Sequence, residues 1–388
     1  MNAISISKSK EYFALEPLAQ SNVAICHVAF ATPPNCYKQI ELPDYLNFKN
    51  PTVRKFFGHS HIQNRYLYLP PKDPTTGHAV EEHYGELLKK FERGAIEIGG
   101  KALKESLEKA GLQHKDIDFL CCVTSTGFTV PGLTALFIRV FGLRDDCQRL
   151  DVVGMGCNAG LNGLNAVASW SAANPGKTAV LLCAEVCSAI YTIDDTPRTA
   201  IVNSLFGDGA IACIVQNNQQ ETKKPKEISL KSRTARNILN AKILGFERQI
   251  IPQFWRELRF DWDEKKNRYS FHVGKDTPGA IAKVADLPLA KLLKRFDLQK
   301  EDISHWVIHG GGNAILVGMQ EKLNLTDFDV RHTRSVLRDY GNVSSGSFLF
   351  SYNRLMEERA VQPGDFGIMA TMGPGLCIEM GLVQWSKK

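Results

Sequence analysis

The strongest constraint on this chain is a repeat within it. Residues 104–123 and residues 290–309 follow one plan, in which an amphipathic helix leads through a Leu-Gln-x-x-Asp-Ile turn into a hydrophobic strand. Both segments are then followed by a strand, a turn and a second helix. A shared order at two distant places favours two copies of one unit, although amphipathic helices can also resemble each other by chance.

Each second helix is expected to stop at a Pro-Gly turn that opens another buried strand. Pro175 precedes the apolar run 178–183, and Pro363 precedes the run 366–371. Strands that alternate with helices favour parallel, buried sheets with helices on both faces. The sequence therefore predicts an α/β protein built from two pseudo-symmetric halves.

The repeat predicts how the chain divides. At 388 residues and 44% hydrophobic composition, the chain is long enough for two domains or one large doubled unit. A polar stretch over 216–231 is expected to link the halves through solvent, which is favoured over a nucleic-acid-binding tail. We therefore predict an N-terminal arm over 1–20, a first half over 21–220 and a second half over 232–388.

Composition bounds the environment and the partners. The formal charge of +6 is small for this length, so nucleic-acid binding is not indicated, although an anionic ligand is compatible. Ten cysteines without a Cys-x-x-Cys pair fit the reducing cytoplasm. No apolar run approaches the roughly 18 residues that cross a bilayer, so membrane insertion is not expected.

A cysteine lies where a predicted strand turns into a helix. Residues 151–153 favour a buried strand, Gly154 and Gly156 a tight turn, and the residues after Cys157 a helix. A thiol at a helix N-terminus faces unpaired N–H groups and the positive end of the helix dipole, and both favour the thiolate. Cys157 is therefore a candidate nucleophile, and the alternative is a small core residue.

Two polar residues of the second half also lie at the ends of predicted elements. His309 ends a strand and precedes three glycines, and Asn342 lies in the turn before the second helix. The plainer alternatives are a structural histidine beside a surface turn and a helix-capping asparagine. Pseudo-symmetry would bring both residues near Cys157. Such a Cys, His and Asn set suits nucleophilic acyl chemistry in which N–H groups stabilise an oxyanion.

Five motifs, in order along the chain, carry a resemblance to a known family. They are Gly156-Cys157-Asn158-Ala159-Gly160, Ser204-Leu205-Phe206-Gly207-Asp208-Gly209-Ala210, His309 with its glycines, Tyr340-Gly341-Asn342-Val343-Ser344-Ser345, and Gly373-Pro374-Gly375-Leu376. With these motifs the chain resembles the type III polyketide synthases, the chalcone synthase-like family within the thiolase fold. The resemblance implies a thiolase-like fold in which two α/β halves form a layered αβαβα core.

The resemblance also implies a reaction. Cys157 would take an acyl group from a coenzyme A thioester, while His309 and Asn342 would bind the thioester carbonyl of malonyl-CoA and stabilise the enolate left by its decarboxylation. The enolate would attack the Cys157 thioester in a Claisen condensation, and the cycle would repeat before ring closure. An imidazolium at His309 would hold the sulfur as a thiolate. The implied enzyme is a cytoplasmic homodimer that needs no metal, no acyl carrier protein and no cofactor beyond its coenzyme A thioester substrates.

By family pattern, further residues surround the route to the nucleophile. Phe206 and Phe271 would gate the junction between the coenzyme A tunnel and the cavity, the alternative being core packing. Trp262 stands where chalcone synthases carry a glycine, and its bulk would favour a small starter. Val130 and Met372 would also shape the cavity. Residues implied to meet coenzyme A are Lys55, Arg54, Gly311, Gly312 and Ala314.

Within that family the segments 154–162 and 334–342 most resemble the bacterial 3,5-dihydroxyphenylacetyl-CoA synthases, which build a resorcinol ring from malonyl-CoA alone. Three alternatives remain open. One is a type III polyketide synthase with another acyl-CoA starter, of the alkylresorcinol, pyrone or chalcone type. A second is another thiolase-fold condensing enzyme, such as a ketoacyl-(acyl carrier protein) synthase III or a hydroxymethylglutaryl-CoA synthase. The third is a non-catalytic binding protein that keeps the fold.

Overall fold

The computed structural model describes residues 17–80, 82–217 and 239–387. Its strands are β1 (Val23–Ala31), β2 (Cys36–Lys38), β3 (Asn64–Tyr66), β4 (Phe119–Thr124), β5 (Gln148–Val153), β6 (Thr178–Glu185), β7 (Gly209–Asn217), β8 (Leu239–Ile250), β9 (Leu258–Asp263), β10 (Arg268–Val273), β11 (Ile303–Ile308), β12 (Phe366–Gly373) and β13 (Cys377–Lys387). Its α-helices are α1 (Pro17–Gln20), α2 (Leu42–Tyr45), α3 (Pro51–Lys55), α4 (Tyr84–Ala110), α5 (Leu133–Phe141), α6 (Ala159–Ala173), α7 (Pro197–Leu205), α8 (Thr277–Val284), α9 (Asp286–Phe296), α10 (Asn313–Lys322), α11 (Arg331–Tyr340) and α12 (Ser347–Glu358).

The two copies of the repeat fold alike. In each copy a helix, α4 or α9, is followed by a short 3-10 turn and then by a strand, β4 or β11. The same side-chain bond closes both turns. Asp116 accepts a hydrogen bond from the backbone N–H of Gln113 at 2.7 Å, and Asp302 accepts one from Gln299 at 2.7 Å. The repeat predicted from sequence is therefore confirmed.

Nine strands form one sheet in the order β11-β12-β13-β8-β1-β7-β6-β4-β5. Strands β1 and β8 join the two halves through the pairs Ala24–Lys242 and Ile25–Ala241. Only β4 with β5, β4 with β6, and β11 with β12 pair in parallel within this sheet. The prediction of parallel sheets is therefore correct only for these pairs. Strand β13 follows β12 through a tight turn, which joins antiparallel neighbours, and the pairs that involve β1, β7 and β8 are also antiparallel.

The strands of each half form one β layer of this sheet. Three hydrophobic cores pack between these two layers and three layers of helices. Helices α4 and α5 cover the outer face of the first half's strands, and α8, α9 and α10 cover the outer face of the second half's strands. The middle core holds α6 and α12 between the two halves, with Leu161, Leu164, Phe348 and Leu349 fully buried or nearly so. Burial of each such side chain contributes about 2 kcal/mol. This arrangement is the αβαβα core that the sequence predicts.

The segment before Asn342 differs from the prediction. The repeat implied a strand there, as before Cys157, but residues 331–340 form helix α11. Its buried residues recur at helical rather than alternate spacing. They are His332, Thr333, Val336 and Leu337. The second half therefore lacks a counterpart of β5 among the residues that the structure describes.

Parts of the predicted division lie outside the described residues. The linker over 216–231 falls largely on 218–238, and its first two residues instead end β7. Most of the arm over 1–20 is also outside, whereas its last four residues form α1. The domain bounds stay a prediction. Across the described chain, no helix combines the length and apolarity needed to cross a membrane.

Candidate active site

Cys157 lies in a 3-10 turn that leads directly into α6. Gly156 before it has a φ of +66°, a left-handed conformation that favours glycine, and a side chain there would collide with Pro374. A side chain at Gly373 would in turn collide with Asn158. The loop at the end of β12 in the second half therefore packs against the nucleophile turn of the first half.

The Cys157 side chain is only 9% exposed and is held by two residues of the second half. Its Sγ lies 3.5 Å from Ser344 Oγ, and the Asn342 side chain also hydrogen bonds to the thiol. Burial raises the pKa of Cys157 to about 12, although these two hydrogen bonds act in the opposite direction. Burial likewise lowers the pKa of His309 to about 3. Burial therefore favours the neutral thiol and the neutral imidazole. The predicted imidazolium–thiolate pair of His309 and Cys157 would have to overcome this effect, and it stays a prediction.

A chain of side chains leads from the thiol to a buried carboxylate. Ser344 Oγ lies 2.6 Å from Ser125 Oγ, which donates to Glu185 at 3.0 Å. Glu185 is fully buried, and burial raises its pKa. The sequence reasoning gave none of these three residues a role. The signal that could have found Glu185 is an acidic residue at the end of the otherwise uncharged strand β6.

Asn342 serves both as a turn residue and as part of the site. Its Oδ1 accepts the N–H of Ser344 at 2.8 Å, which closes a local turn, whereas the helix-capping alternative is wrong because Gly346 is the N-cap of α12. With its oxygen engaged, the amide N–H group is left as the donor toward Cys157. Its backbone N–H and C=O bond to Leu205 and Gly207 at 2.9 and 3.0 Å, which makes a parallel bridge with the residue between them.

That intervening residue, Phe206, lines a small cavity beside the nucleophile. Its ring meets Phe271 edge to face, with the ring centroids 5.8 Å apart, and both rings border the cavity that contains Cys157. Arg65 Nη1 donates to the Phe206 carbonyl at 2.7 Å, and the Tyr191 hydroxyl donates to the same oxygen. The two predicted gate residues are therefore next to Cys157, and the backbone of one of them is fixed.

His309 is buried where β11 ends. Its backbone N–H donates to the carbonyl of Ala370 on β12 at 2.8 Å. A Cβ atom on Gly311 would lie 3.4 Å from the His309 ring. Gly312, with a φ of +134°, packs against the Leu205 side chain. The histidine loop and the Asn342 turn therefore meet at Leu205. Among the described residues no hydrogen bond joins His309 to Cys157, and its Nδ1 has no partner.

Comparison with known proteins places the chain in a family. A family model for the C-terminal domain of chalcone and stilbene synthases matches residues 246–386, and one for FAE1/type III polyketide synthase-like proteins matches residues 72–238. The 3,5-dihydroxyphenylacetyl-CoA synthase of Amycolatopsis orientalis is 45% identical over 358 residues, which are 92% of each chain. That of Streptomyces toyocaensis is 46% identical over 362 residues, 93% of this chain and 90% of the relative. The chain belongs to the type III polyketide synthase family.

Solved structures agree with this assignment. PKS-I from the brown alga Ectocarpus siliculosus superposes with a TM-score of 0.81 at 25% identity, over 94% of this chain and 98% of that one. The 1,3,6,8-tetrahydroxynaphthalene synthase of Streptomyces coelicolor A3(2) has the same TM-score at 23% identity, over 94% and 100% of the two chains. This type III polyketide synthase is accordingly an acyl-transferring condensing enzyme with the thiolase fold.

The cavity residues predicted for this type III polyketide synthase are placed unequally. Met372 is buried in the hydrophobic core that contains Cys157, whereas Val130 is 86% exposed on a loop after β4. Trp262 was expected to fill the cavity, but Phe260 borders it instead. Trp262 lies two residues further along β9, is 41% exposed and packs against neighbouring tyrosine rings. The argument for a small starter from Trp262 therefore loses its basis.

The predicted coenzyme A contacts of the synthase form two groups. Lys55 is exposed on α3, while Arg54 is engaged by Asp44 at 2.8 Å and by a backbone carbonyl. Helix α3 packs against α7, whose last residue contacts the loop of Gly312, and Ala314 is exposed at the start of α10. The two groups thus both adjoin α7, and their contact with coenzyme A stays a prediction.

Proposed function

We propose that this enzyme makes 3,5-dihydroxyphenylacetyl-CoA from malonyl-CoA alone, by repeated decarboxylative Claisen condensation and ring closure. One observation carries the proposal: two synthases of that name are 45% and 46% identical to this chain over at least 90% of both partners. The matched stretch covers at least 92% of this chain, so it extends over both halves. Another starter, giving an alkylresorcinol, pyrone or chalcone-type product, is the alternative within the family.

In the proposed reaction, Cys157 attacks the malonyl-CoA thioester and carries the acyl chain. Ser344 stands in contact with the thiol, and the chain of hydroxyl groups behind it ends at Glu185, so a proton leaving the sulfur has acceptors within reach. The thiol lies against the apolar walls of the cavity, which limits water and slows hydrolysis of the thioester. The enolate of the next unit then attacks this thioester while the chain is held at the cavity.

His309 and Asn342 are proposed to bind the carbonyl oxygen of the extending malonyl thioester. Loss of CO2 builds negative charge on that oxygen, and the imidazole and carboxamide N–H groups stabilise it. Two features support the roles. The Asn342 oxygen is already bonded within its own turn, and the backbone of Gly311 lies so close to the His309 ring that a side chain there would touch the ring. The enolate then attacks the Cys157 thioester.

The molecule is proposed to act as a cytoplasmic homodimer on coenzyme A thioesters, with no metal, other cofactor or acyl carrier protein. Exposed apolar side chains support a second copy as partner. Phe128 is 71% exposed and Val130 86% exposed, and both lie on the loop after β4. Lys55 and Arg54 on α3, with Gly311, Gly312 and Ala314, are proposed to receive the coenzyme A.

The proposal is tested by giving the purified enzyme 13C-labelled malonyl-CoA as the single substrate, without carrier protein. We expect an aromatic product whose mass and fragmentation match 3,5-dihydroxyphenylacetyl-CoA and in which every carbon of the acyl part is labelled. His309→Ala, which lacks one oxyanion donor, is the control and should form at most a trace. An aromatic product that appears only after a second acyl-CoA is added would exclude the malonyl-only assignment. Dependence on carrier protein would exclude the family reaction itself.

A further inference from the structure

A second cavity adjoins the one at the nucleophile. It has a volume of about 290 Å³, and Ser125, Thr126, Ile190 and Phe260 border both cavities. Its walls are mostly apolar and aromatic. Among the residues that the structure describes around it, Arg268 is the one charged side chain. The space into which a chain on Cys157 can extend therefore contains a single cation and no carboxylate.

Arg268 is a buried cation without a counter-charge. It is 8% exposed, and its Nη2 and Nη1 donate to the backbone carbonyls of Glu82 at 2.7 Å and Tyr191 at 3.4 Å. Its Nε is buried and has no partner, and within the described ranges no carboxylate oxygen lies within 4.0 Å of its nitrogens. A guanidinium has five N–H donors, so the group keeps unused donors. Burying a charge without a partner is unfavourable, which makes a bound anion the natural complement.

The nearest carboxylates are occupied elsewhere. Asp263 stands opposite Arg268 in the β9–β10 ladder but pairs with Arg198 at 2.9 Å. Asp194 and Asp195 line the cavity on the other side of Arg268, where hydroxyl and backbone N–H groups bind one oxygen of each. The buried Asp195 Oδ1 has no hydrogen-bond partner, but it lies more than 4.0 Å from the Arg268 nitrogens. The unpaired cation is therefore a property of the cavity wall and not one half of a displaced ion pair.

The position of the cation suits the far end of a grown chain. Arg268 precedes Phe271 by three residues on β10, which at 3.3 Å per residue is about 10 Å along the strand, and the two side chains leave opposite faces of it. An acyl chain on Cys157 would reach Arg268 through the adjoining cavity, which Phe260 borders together with Arg268, and only after several condensations. A group that binds Arg268 must then be carried at the end of the chain that was installed first.

We propose that Arg268 binds the carboxylate of a malonyl starter unit, kept at the distal end of the growing chain; this rests on the proposed use of malonyl-CoA alone. Retention has a chemical consequence for ring closure. When the C–CO2 bond finally breaks, its electron pair stays on the terminal carbon and forms the new carbon–carbon bond to a ketone of the same chain, whose oxygen takes up a proton. Until then Arg268 holds the chain end away from that ketone.

The first test is the mass of chains bound to Cys157 after rapid acid quenching of the wild-type enzyme with malonyl-CoA. We expect di- and triketide adducts heavier by one CO2 than those formed when acetyl-CoA is the starter. Adducts that have all lost this CO2 would overturn the inference. If condensation occurs but the extra CO2 is missing, the proposed function survives, whereas absence of any condensation from malonyl-CoA would refute the function itself.

The second test compares Arg268→Gln, which keeps N–H donors but loses the charge, with Arg268→Lys, which keeps the charge. From malonyl-CoA alone, we expect the ratio of aromatic product to short released lactones to fall about tenfold in Arg268→Gln and less in Arg268→Lys, because a charge-assisted bond is lost. Lys266→Gln removes a nearby cation that borders the other cavity and should leave the ratio unchanged. Equal ratios in Arg268→Gln and Lys266→Gln would contradict the inference, and thermal unfolding midpoints show that the variants are folded.

Discussion

The Cys157 thiol is reached from both halves of the chain. Its own turn opens α6, while the side chains that hydrogen bond to it, Ser344 and Asn342, belong to the second half. Burial opposes ionisation of a thiol in this position, so attack on a thioester depends on partners that take its proton. The activation of this proposed nucleophile therefore depends on its surroundings as much as on its place at a helix start.

The covalent role of Cys157 has a direct test. Intact-protein mass spectrometry of wild-type enzyme mixed with malonyl-CoA should show an acyl adduct, and Cys157→Ala should show none, because the remaining cysteines are buried away from the cavity or lie on the surface. Cys36→Ala, which removes the exposed cysteine, should keep the adduct. An adduct that persists in Cys157→Ala would assign the acyl group to another residue.

Glu379 on β13 predicts a pH dependence of stability. Burial raises its pKa to about 7, while the charge of Arg248 and a hydrogen bond from Asn162 lower it. A carboxyl whose folded pKa lies above its unfolded value stabilises the fold below the unfolded pKa of about 4.3, and this contribution is lost as pH rises through 7. Wild-type enzyme should therefore lose about 2 kcal/mol relative to Glu379→Gln between pH 5 and pH 8.

The measurement is the free energy of unfolding in urea for both proteins at each pH. Gln keeps an oxygen that accepts from Asn162, so the variant isolates the charge. A difference between the two proteins that does not change with pH would show that Glu379 is ionised throughout the range.

At the scale of elements, Arg65 connects three pieces of backbone around the gate. It is fully buried, donates to the carbonyls of Asn203 and Phe206 at 2.6 and 2.7 Å, and contacts Gly341 closely enough to leave no space for a side chain there. No ion pair engages it within the described residues. Because both bonds carry a charge, the end of α7 is held in one conformation.

Arg65→Lys should lower the free energy of unfolding by about 2 kcal/mol, because an ammonium cannot serve both carbonyls with the geometry of a guanidinium. It should also raise the share of short products, since the Phe206 backbone loses its anchor. Arg198→Lys changes a partly exposed arginine on α7, the helix whose end Arg65 binds, and is the control for both measurements. A loss of stability with an unchanged product pattern would limit Arg65 to a structural role.

The elements themselves were predictable where the chain repeats a local pattern. Strand β6, the stop of α6 at residue 173 and the Gln-Asp turns before β4 and β11 follow from spacing and turn residues. Helix α11 was missed because pseudo-symmetry suggested a strand and overrode the helical spacing of its buried residues. Sequence also could not place Trp262, since the position of a side chain beyond a cavity edge depends on the twist of a two-stranded hairpin.

Over the whole molecule, site residues became predictable through the doubling of the chain. Cys157 and Asn342 lie more than 180 residues apart in sequence, yet corresponding turns of two related halves meet at the pseudo-symmetry axis. The doubling of the chain could not predict that Ser125 and Glu185 form hydrogen bonds behind Ser344. Those bonds depend on how hydroxyl groups are oriented between β4, β6 and the Asn342 turn. Symmetry predicts which backbones meet, and side-chain packing decides which polar atoms bond.

The exposed loop after β4 carries the prediction at the largest scale. If a second copy covers Phe128 and Val130, then Val130→Asp places a charge in the contact and should convert the dimer to a monomer with reduced aromatic product. Light scattering after size-exclusion chromatography measures the mass directly. Ile40→Asp alters an equally apolar, exposed side chain elsewhere and should leave the mass unchanged. A wild-type enzyme that runs as a monomer would refute the homodimer.

The parallel bridge between Phe206 and Asn342 restricts how a lineage of such synthases can diversify. One peptide segment carries a ring beside the cavity, and its bonded partner carries the proposed donor for decarboxylation, so a shift of either main chain moves the other. Substitutions that change the product are therefore expected to exchange side chains and to leave this backbone bridge in place. An insertion or deletion at this bridge would disturb carbon–carbon bond formation and product selectivity together, so we expect such changes to be absent from active synthases of this kind.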